Sequence, residues 1–418
     1  MTNGSTTRFR GLLLAGVLGL IPALTACGSS APATFTVGAV FPLSGPQSSL
    51  GQQELDGVDM ARQFANADGG VNGQQIVIDS RSVGSTAEAA AAIDSLRQDG
   101  VATVLGAYSS DLSMAASQAA SNDGLLYWEA GAVADQVTGR GLPLVFRVGA
   151  SGSNLGDNSA TFALTQLAPR LGILPGQLTA SLVVADDAYA HSVADAARAR
   201  LVAGGARVVS ESDYNPHNPQ FGPALDAVAA ARPTVLVLAS HIPDGIAFRR
   251  AFLARHLHVQ AFLGSTMAQC LPDFGNALGV DAVGVFASDR PDNTFTGRGL
   301  LPDGSVLYHR LMAAWQQRYG TAPDEEALSG FSAAWALFHT VMPRAANLSA
   351  TSVAAAARST SLPVGSLPNG AGVRFADDPA HRGQNLRAAA VIWQWQAPRH
   401  SVVVWPPLYA SGAAAMVP

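Results

Sequence analysis

Short apolar runs alternate with segments of helical spacing along most of the chain. In the segment 50–69, Leu50, Leu55, Val58 and Phe64 are close to the spacing of a one-sided helix. Continuous β-branched strands separated by helices predict parallel sheets that are covered on both faces. The predicted strands are 35–43, 74–83, 101–108, 124–132, 144–150, 178–187, 206–214, 233–241, 259–267 and 282–289.

This pattern predicts an α/β fold with two doubly wound lobes. Strand–helix units fill residues 35–150 and then begin again over 160–289, which is more than one sheet would take. Residues 290–362 are mostly of helical pattern. The segments 388–396 and 401–407 alternate between apolar and polar residues and predict a β-hairpin.

The N-terminal region predicts export. The apolar run GLLLAGVLGLIPALTAC follows Arg8 and Arg10, with no acidic residue before Cys27. Its ending, LTAC, resembles the lipobox of bacterial lipoproteins, in which the cysteine is acylated and becomes the first mature residue. We therefore expect a lipoprotein signal peptide at 1–26, a lipidated Cys27 and a tether over 27–33. This would anchor the protein to the outer face of the cell membrane.

Composition and missing motifs exclude several functions. The chain carries a net charge of −5, which argues against nucleic-acid binding. All 25 basic residues are Arg, so P-loop, Schiff-base and serine–lysine chemistry lack their lysine. No H-E-x-x-H, C-x-x-C or G-x-G-x-x-G motif occurs, and we expect no metal and no cofactor. Cys270 has no disulfide partner if Cys27 carries lipid.

The stretch GAYSSDLSMAAS, residues 106–117, is the main candidate for a binding site. It follows a predicted strand, and a helix that begins at Ser110 or Asp111 would present free backbone N–H groups to an anion. Ser109 and Ser110 equally fit a plain helix N-cap. A hydrolase nucleophile is poorly supported because the chain has no G-x-S-x-G elbow.

Several motifs together indicate a family. The stretch 38–76, with its turn Asn66–Gly73, resembles the opening of branched-chain amino-acid-type solute-binding proteins, which are type I periplasmic binding proteins. Further matches in the same order are 104–117, 144–148, 218–239, 328–337 and the closing GVRF and VVVWPP. The resemblance covers essentially the whole mature chain.

The resemblance implies two Rossmann-like lobes, joined by three crossover hinge segments, that close on a ligand. Carried over to this chain, the N-terminal lobe comprises 34–149 and 290–363, and the C-terminal lobe comprises 150–289 and 364–418. The protein would be a monomer. It would be no enzyme but the lipid-anchored substrate-binding subunit of an ABC importer, presenting its solute to membrane permease subunits. The alternatives are a ligand sensor of the same fold and an exported α/β hydrolase using Ser110.

The resemblance also implies the ligand contacts. Ser110 matches a serine that binds a ligand carboxylate, and Tyr189 matches an aromatic that packs on the ligand. Val133 stands where the family often has Ser or Thr. The residues expected to contact ligand are Leu50, Tyr108, Ser109, Ser110, Glu129, Gly131, Ala132, Val133, Tyr189, His241 and Thr266.

Thr266 departs from the family pattern. Amino-acid-binding members usually carry an acid near this position, which pairs with the ligand's α-ammonium, and an unpaired buried ammonium is costly. Either Glu129 supplies the counter-charge, or the ligand is a neutral amide, a urea-like solute or an aromatic carboxylate. The sequence leaves both open and slightly favours the second.

Overall fold

The computed structural model describes residues 33–266 and 268–416, together with Met1. The signal peptide beyond Met1, Cys27 and the tether up to residue 32 lie outside the described residues. Within those described ranges, no helix is long and apolar enough to cross a membrane.

The first sheet has five parallel strands in the order β2-β1-β3-β4-β5. Its strands are β1 (Thr34–Phe41), β2 (Gln75–Ser82), β3 (Thr103–Gly106), β4 (Leu126–Glu129) and β5 (Val145–Arg147). The strand order reverses direction between β1 and β3, so the loops after these two strands diverge to opposite faces of the sheet.

The second sheet has seven strands in the order β12-β11-β10-β9-β8-β6-β7. Strands β6 to β10 pair in parallel, and the β11–β12 hairpin adds antiparallel to the edge of β10. The strands are β6 (Thr179–Ala185), β7 (Arg207–Tyr214), β8 (Val235–Ala239), β9 (Ala261–Ser265), β10 (Phe286–Asp289), β11 (Val391–Ala397) and β12 (His400–Trp405). The order reverses between β6 and β8.

Helices cover both sheets. In chain order they are α1 (Ser48–Ala67), α2 (Thr86–Gln98), α3 (Ser110–Asn122), α4 (Gln136–Gly139), α5 (Gly152–Phe162), α6 (Ala168–Arg170), α7 (Ala188–Ala203), α8 (Gly222–Ala231), α9 (Ile242–Ala254), α10 (Pro272–Leu278), α11 (Pro302–Tyr319), α12 (Glu325–Trp335) and α13 (Ala350–Ser359). Short π-helical turns extend α5 and α12. Along β1, Val37 and Phe41 belong to one apolar core and Val40 to another, as expected for a sheet covered on both faces.

The structure confirms the predicted α/β class and its two parallel-core sheets. All ten predicted strands and the hairpin occur, and most are shorter than predicted because the chain turns into a loop at their ends. The helix predicted to begin at Ser110 or Asp111 begins at Ser110. The chain passes from the first sheet to the second after β5. It returns after β10 to place α12 on α1 and α13 against β4, and then crosses again to β11. The exact lobe boundaries stay predictions.

Glycines allow two helix pairs to pack with their backbones almost in contact. A Cβ added to Gly57 on α1 would lie 2.1 Å from the carbonyl oxygen of Ala327 on α12. A Cβ on Gly156 of α5 would lie 2.0 Å from the carbonyl oxygen of Val193 on α7. Each lobe therefore depends on one helix pair that has no room for a methyl group.

This packing gives a stability prediction. We expect Gly57→Ala to lower the free energy of unfolding by about 1–3 kcal/mol, because the methyl group forces α1 and α12 apart. The control is Gly222→Ala on α8, where the nearest atom to an added Cβ is a flexible arginine tip at 3.8 Å. Urea unfolding measures both variants. Equal stability of the two variants would contradict the close contact.

Candidate ligand-binding site

A cavity of about 650 Å³ lies between the carboxyl ends of the two sheets. Its walls are the loops that follow β1, β2 and β3 on one side and β6, β7 and β8 on the other. The cavity thus opens at the reversal point of each sheet, where open parallel sheets bind ligands. The lining residues are Pro42, Ser44, Gly45, Pro46, Gln47, Leu50, Gly84, Tyr108, Ser109, Ser110, Asp111, Leu112, Asp187, Tyr189, Pro216, His217, His241, Ile242, Pro243 and Asp244.

The N-terminus of α3 forms the first-lobe wall. Ser109 is the N-cap residue, partly exposed, and its side chain makes no capping hydrogen bond. The first backbone N–H groups of a helix have no intrahelical acceptor and carry partial positive charge, so this wall favours an anionic group. Ser110 is 4% exposed, and its hydroxyl accepts a hydrogen bond from the N–H of Ala134 at 3.1 Å. Asp111, which is exposed, adds a carboxylate beside this helix end.

Tyr189 forms the floor of the second-lobe wall. It is 2% exposed, and its hydroxyl donates to the carbonyl oxygen of Ser240 or Thr266 and lies 2.7 Å from the hydroxyl of Ser265. Its ring packs edge-on against His241, with the ring centroids 5.3 Å apart. The hydroxyl is therefore occupied by contacts within the second lobe, and the residue lines the cavity.

Two carboxylates hold His241 at this wall. The Nε2 atom of His241 lies 3.3 Å from Oδ2 of Asp187, and Nδ1 lies 3.8 Å from Oδ1 of Asp244. Asp187 is the N-cap of α7 and accepts the N–H of Ala190 through its other oxygen at 2.9 Å. Asp244 is buried and accepts the hydroxyl of Tyr214 and the backbone N–H of His241.

Burial and these contacts shift the pKa values of His241, Asp187 and Asp244. Burial lowers the pKa of His241, but the nearby carboxylates of Asp244, Asp187 and Asp111 outweigh it, so the pKa is raised overall. Burial raises the pKa of Asp187, and the charge of His241 only partly opposes this. Burial also acts to raise the pKa of Asp244, but the hydrogen bonds from His241 and Tyr214 bring it below its usual value. Among the described residues, the ionisable side chains of the lining are three aspartates, two histidines and two tyrosines, with no arginine.

Five of the expected contact residues lie outside the cavity lining. They are Glu129, Gly131, Ala132, Val133 and Thr266. All five are buried, and they lie at the end of β4 or in the loops after β4 and β9, which are one strand beyond the reversal points of the two sheets. The remaining expected residues, Leu50, Tyr108, Ser109, Ser110, Tyr189 and His241, line the cavity.

Glu129 is turned away from the cavity. It is 0% exposed, and its Oε1 accepts the backbone N–H groups of Gly131 and Ala132 at 2.9 and 2.8 Å. Burial raises its pKa to about 7, although these hydrogen bonds oppose the shift. Thr266 is 1% exposed. Neither residue lines the cavity in this structure.

The acids of the second-lobe wall were not predicted from the sequence. Asp187 and Asp244 both line the cavity, but neither was among the expected contact residues. Both acids follow β6 and β8, the two strands that flank the reversal point of the second sheet. This position would have predicted a binding site, but only if the strand order had been known.

The fold and the cavity define a two-lobed binding protein. A family model for periplasmic binding proteins matches residues 34–395, and the chain belongs to that family, which consists of binding proteins and not of enzymes. The chain is 28% identical over 395 residues to Leu/Ile/Val-binding protein homolog 8 of Brucella suis, covering 93% of this chain and 94% of the relative.

Solved structures share the fold. The leucine-binding protein LivK of Thermotoga maritima superposes with a TM-score of 0.74 at 16% identity, covering 88% of this chain and 97% of that one. A solute-binding protein of an ABC transporter from Rhodopseudomonas palustris BisB5, in complex with 3,4-dihydroxybenzoic acid, gives 0.68 at 20% identity, covering 86% and 93%.

The His241 group gives a prediction about ionisation. We expect Asp244→Asn to lower the pKa of His241, because the substitution removes a negative charge near the imidazole. In the wild type, His241 stabilises the fold at low pH, and this contribution is lost as pH rises through its raised pKa. Titration of the histidine side chains by NMR measures the change.

The matched control is Asp378→Asn. Asp378 pairs with His381 at the same i, i+3 spacing, but both side chains are exposed. This variant should leave the pKa of His241 unchanged. A His241 pKa that stays the same in Asp244→Asn would show that Asp244 does not hold the imidazole.

Proposed function

We propose that the protein is the substrate-binding subunit of an ABC importer, anchored outside the membrane through a lipidated Cys27. The observation that carries the proposal is the cavity between the facing reversal points of the two sheets. Loops from both sheets would contact a solute bound there. The similarity of the fold to the leucine-binding protein LivK and to a solute-binding protein of an ABC transporter supports the importer role. The solute is captured as the lobes close and is presented to the permease.

The charges of the cavity narrow the ligand class. The N-terminus of α3 favours a carboxylate, while Asp111 and Asp187 favour a cationic group. Asp187 gives the second-lobe wall a carboxylate, and the imidazole of His241 lies 3.3 Å from it. Of the ligand classes considered, a small amino acid fits both walls better than an aromatic carboxylate or a neutral amide.

A ligand screen tests this choice. We expect leucine-like amino acids to raise the melting temperature of the full chain, and benzoate and leucinamide to do so less, because each lacks one of the two charged ends. A ligand at a hundred times its Kd stabilises by about 2.7 kcal/mol, which is a clear shift in melting temperature. Thermal shift followed by calorimetric titration measures both effects.

Variants locate the ligand in the cavity. Asp187→Asn should weaken amino-acid binding at least tenfold, and Ser109→Ala should weaken it less. The control is Asp186→Asn, one residue earlier, which is exposed, pairs with His191 and does not line the cavity. Stabilisation by benzoate alone would overturn the amino-acid proposal. Stabilisation by no small solute would overturn the importer role.

Lipid anchoring needs a separate test. In a bacterial host that acylates lipoproteins, we expect the full chain to incorporate labelled palmitate and to partition with the membrane fraction. Cys27→Ser should abolish both, whereas Cys270→Ala should keep both because Cys270 is buried in the fold. Labelling that persists in Cys27→Ser would place the lipid elsewhere.

A further inference from the structure

A buried arginine lies where the chain crosses from the second sheet to the first lobe. Arg290 follows directly after β10, where the chain leaves the second sheet, and it is 2% exposed. Its Nη1 donates to the carbonyl oxygen of Gly131 in the loop after β4, at 2.7 Å. Its Nη2 donates to Glu325 and Glu326 at the start of α12, each at 3.0 Å. One guanidinium therefore links the exit of the second sheet to two elements of the first lobe.

The buried cluster around Arg290 contains more acidic residues than arginines. The carboxylates gathered there come from every element that meets at the junction: Glu54 on α1, Glu129 at the end of β4, Asp289 at the end of β10, and Glu325 and Glu326 on α12. All five are buried. Arg290 and Arg147 supply the guanidinium groups. Other titratable groups facing the cluster are Tyr108, Cys270, Asp292 and Asp324.

Several acid oxygens of the cluster have no hydrogen-bond partner among the described residues. They are both oxygens of Glu54, Oε2 of Glu129, Oδ2 of Asp289 and Oε1 of Glu326. Gly131 packs directly against Glu54, because an added Cβ on Gly131 would lie 2.2 Å from its Oε1. Unpaired buried charges are strongly unfavourable, and protonation relieves them.

The same region is tied to the cavity. Arg147 donates to the carbonyl oxygens of Ala132 and Ala134, at 3.2 and 2.6 Å, and the N–H of Ala134 donates to Ser110 in the cavity wall. The loop after β4 therefore connects the junction to the N-terminus of α3. A change in how the lobes meet at Arg290 reaches the binding wall through this loop.

We propose that Arg290 and its surrounding carboxylates form a proton-linked hinge that sets ligand affinity without touching the ligand. The proposal rests on the binding function proposed above. Opening turns the second sheet about the Asp289–Arg290 crossover and admits water to the cluster, so the carboxylates ionise. Closing excludes the water and takes up a proton. Arg290 is thus a positioning residue for lobe closure.

The ionisation of the cluster gives the direction of the pH effect. Burial raises the pKa of Glu326 to about 7 and that of Glu54 and Glu325 well above the usual range, although Arg290 opposes the shift in all three. Groups whose pKa is higher in the closed form favour closure at low pH, and this preference is lost as pH rises through the raised value. For one proton with a pKa near 7, ligand Kd should increase about tenfold from pH 6 to pH 8.

The first measurement needs no ligand. Spin labels on Gln98→Cys in α2 and Ala230→Cys in α8, both exposed positions, report the distance between the lobes in the full chain. We expect the open population to grow from pH 6 to pH 8. Glu326→Gln, which keeps the size of the side chain but cannot ionise, should flatten this profile. The control Glu211→Gln, on exposed β7, should leave it unchanged.

The second measurement uses whichever amino acid the ligand screen identifies. Its Kd should depend on pH less steeply in Glu326→Gln than in the wild type. Because His241 also titrates in the cavity, both proteins are compared again in a His241→Gln background, where the difference should remain. Arg290→Lys should weaken binding, because an ammonium cannot bridge Gly131 and both glutamates.

The outcomes separate the two proposals. A lobe distance that does not vary with pH, or a profile unchanged by Glu326→Gln, overturns the hinge proposal even if amino acids bind. A pH-dependent lobe distance in a protein that binds no solute supports the hinge and overturns the importer proposal.

Discussion

The binding site depends on one constraint, which is that all strands of a parallel sheet end at the same edge. The sheet interiors are filled by apolar residues such as Val37, Leu105, Leu182 and Leu236, so polar groups gather at the ends of the strands. Where two such edges face each other, polar loops and helix N-termini from both lobes enclose a single space. The position of the cavity and the polarity of its walls follow from this arrangement.

The role of the loop after β4 shows how closely site and scaffold are connected. It does not line the cavity, yet its carbonyl oxygens accept hydrogen bonds from Arg147 and Arg290, and its N–H at Ala134 supports Ser110. The hydroxyl of Ser110 is thus used to fix a loop, and Ser109 is the serine whose side chain makes no capping hydrogen bond. The wall of the cavity is therefore held by buried residues that do not themselves line the cavity.

Local patterns predicted the elements well and the site only in part. Apolar runs located every strand, because burial on both faces leaves a continuous signal, and the first residue of α3 was predicted to within one position. Which loops meet depends on strand order, a pairing between distant segments that no local pattern encodes. Asp187 looks like an ordinary helix N-cap in sequence, and Glu129 looks like a loop residue near a ligand. Their roles become distinguishable only once β6 is known to lie at a reversal point and β4 beyond one.

The β11–β12 hairpin has a consequence for the order of assembly. The strand that covers the edge of β10 comes from residues 391–397, after the helices of 302–359 have been made for the first lobe. Neither lobe is continuous in the sequence, so the early segments must wait for late ones before their surfaces are covered. Pairings of such long sequence separation form slowly. A protein of a periplasmic family works beyond the cytoplasmic membrane. A chain that is threaded across that membrane must cross it before it folds. A discontinuous topology delays that closure during synthesis.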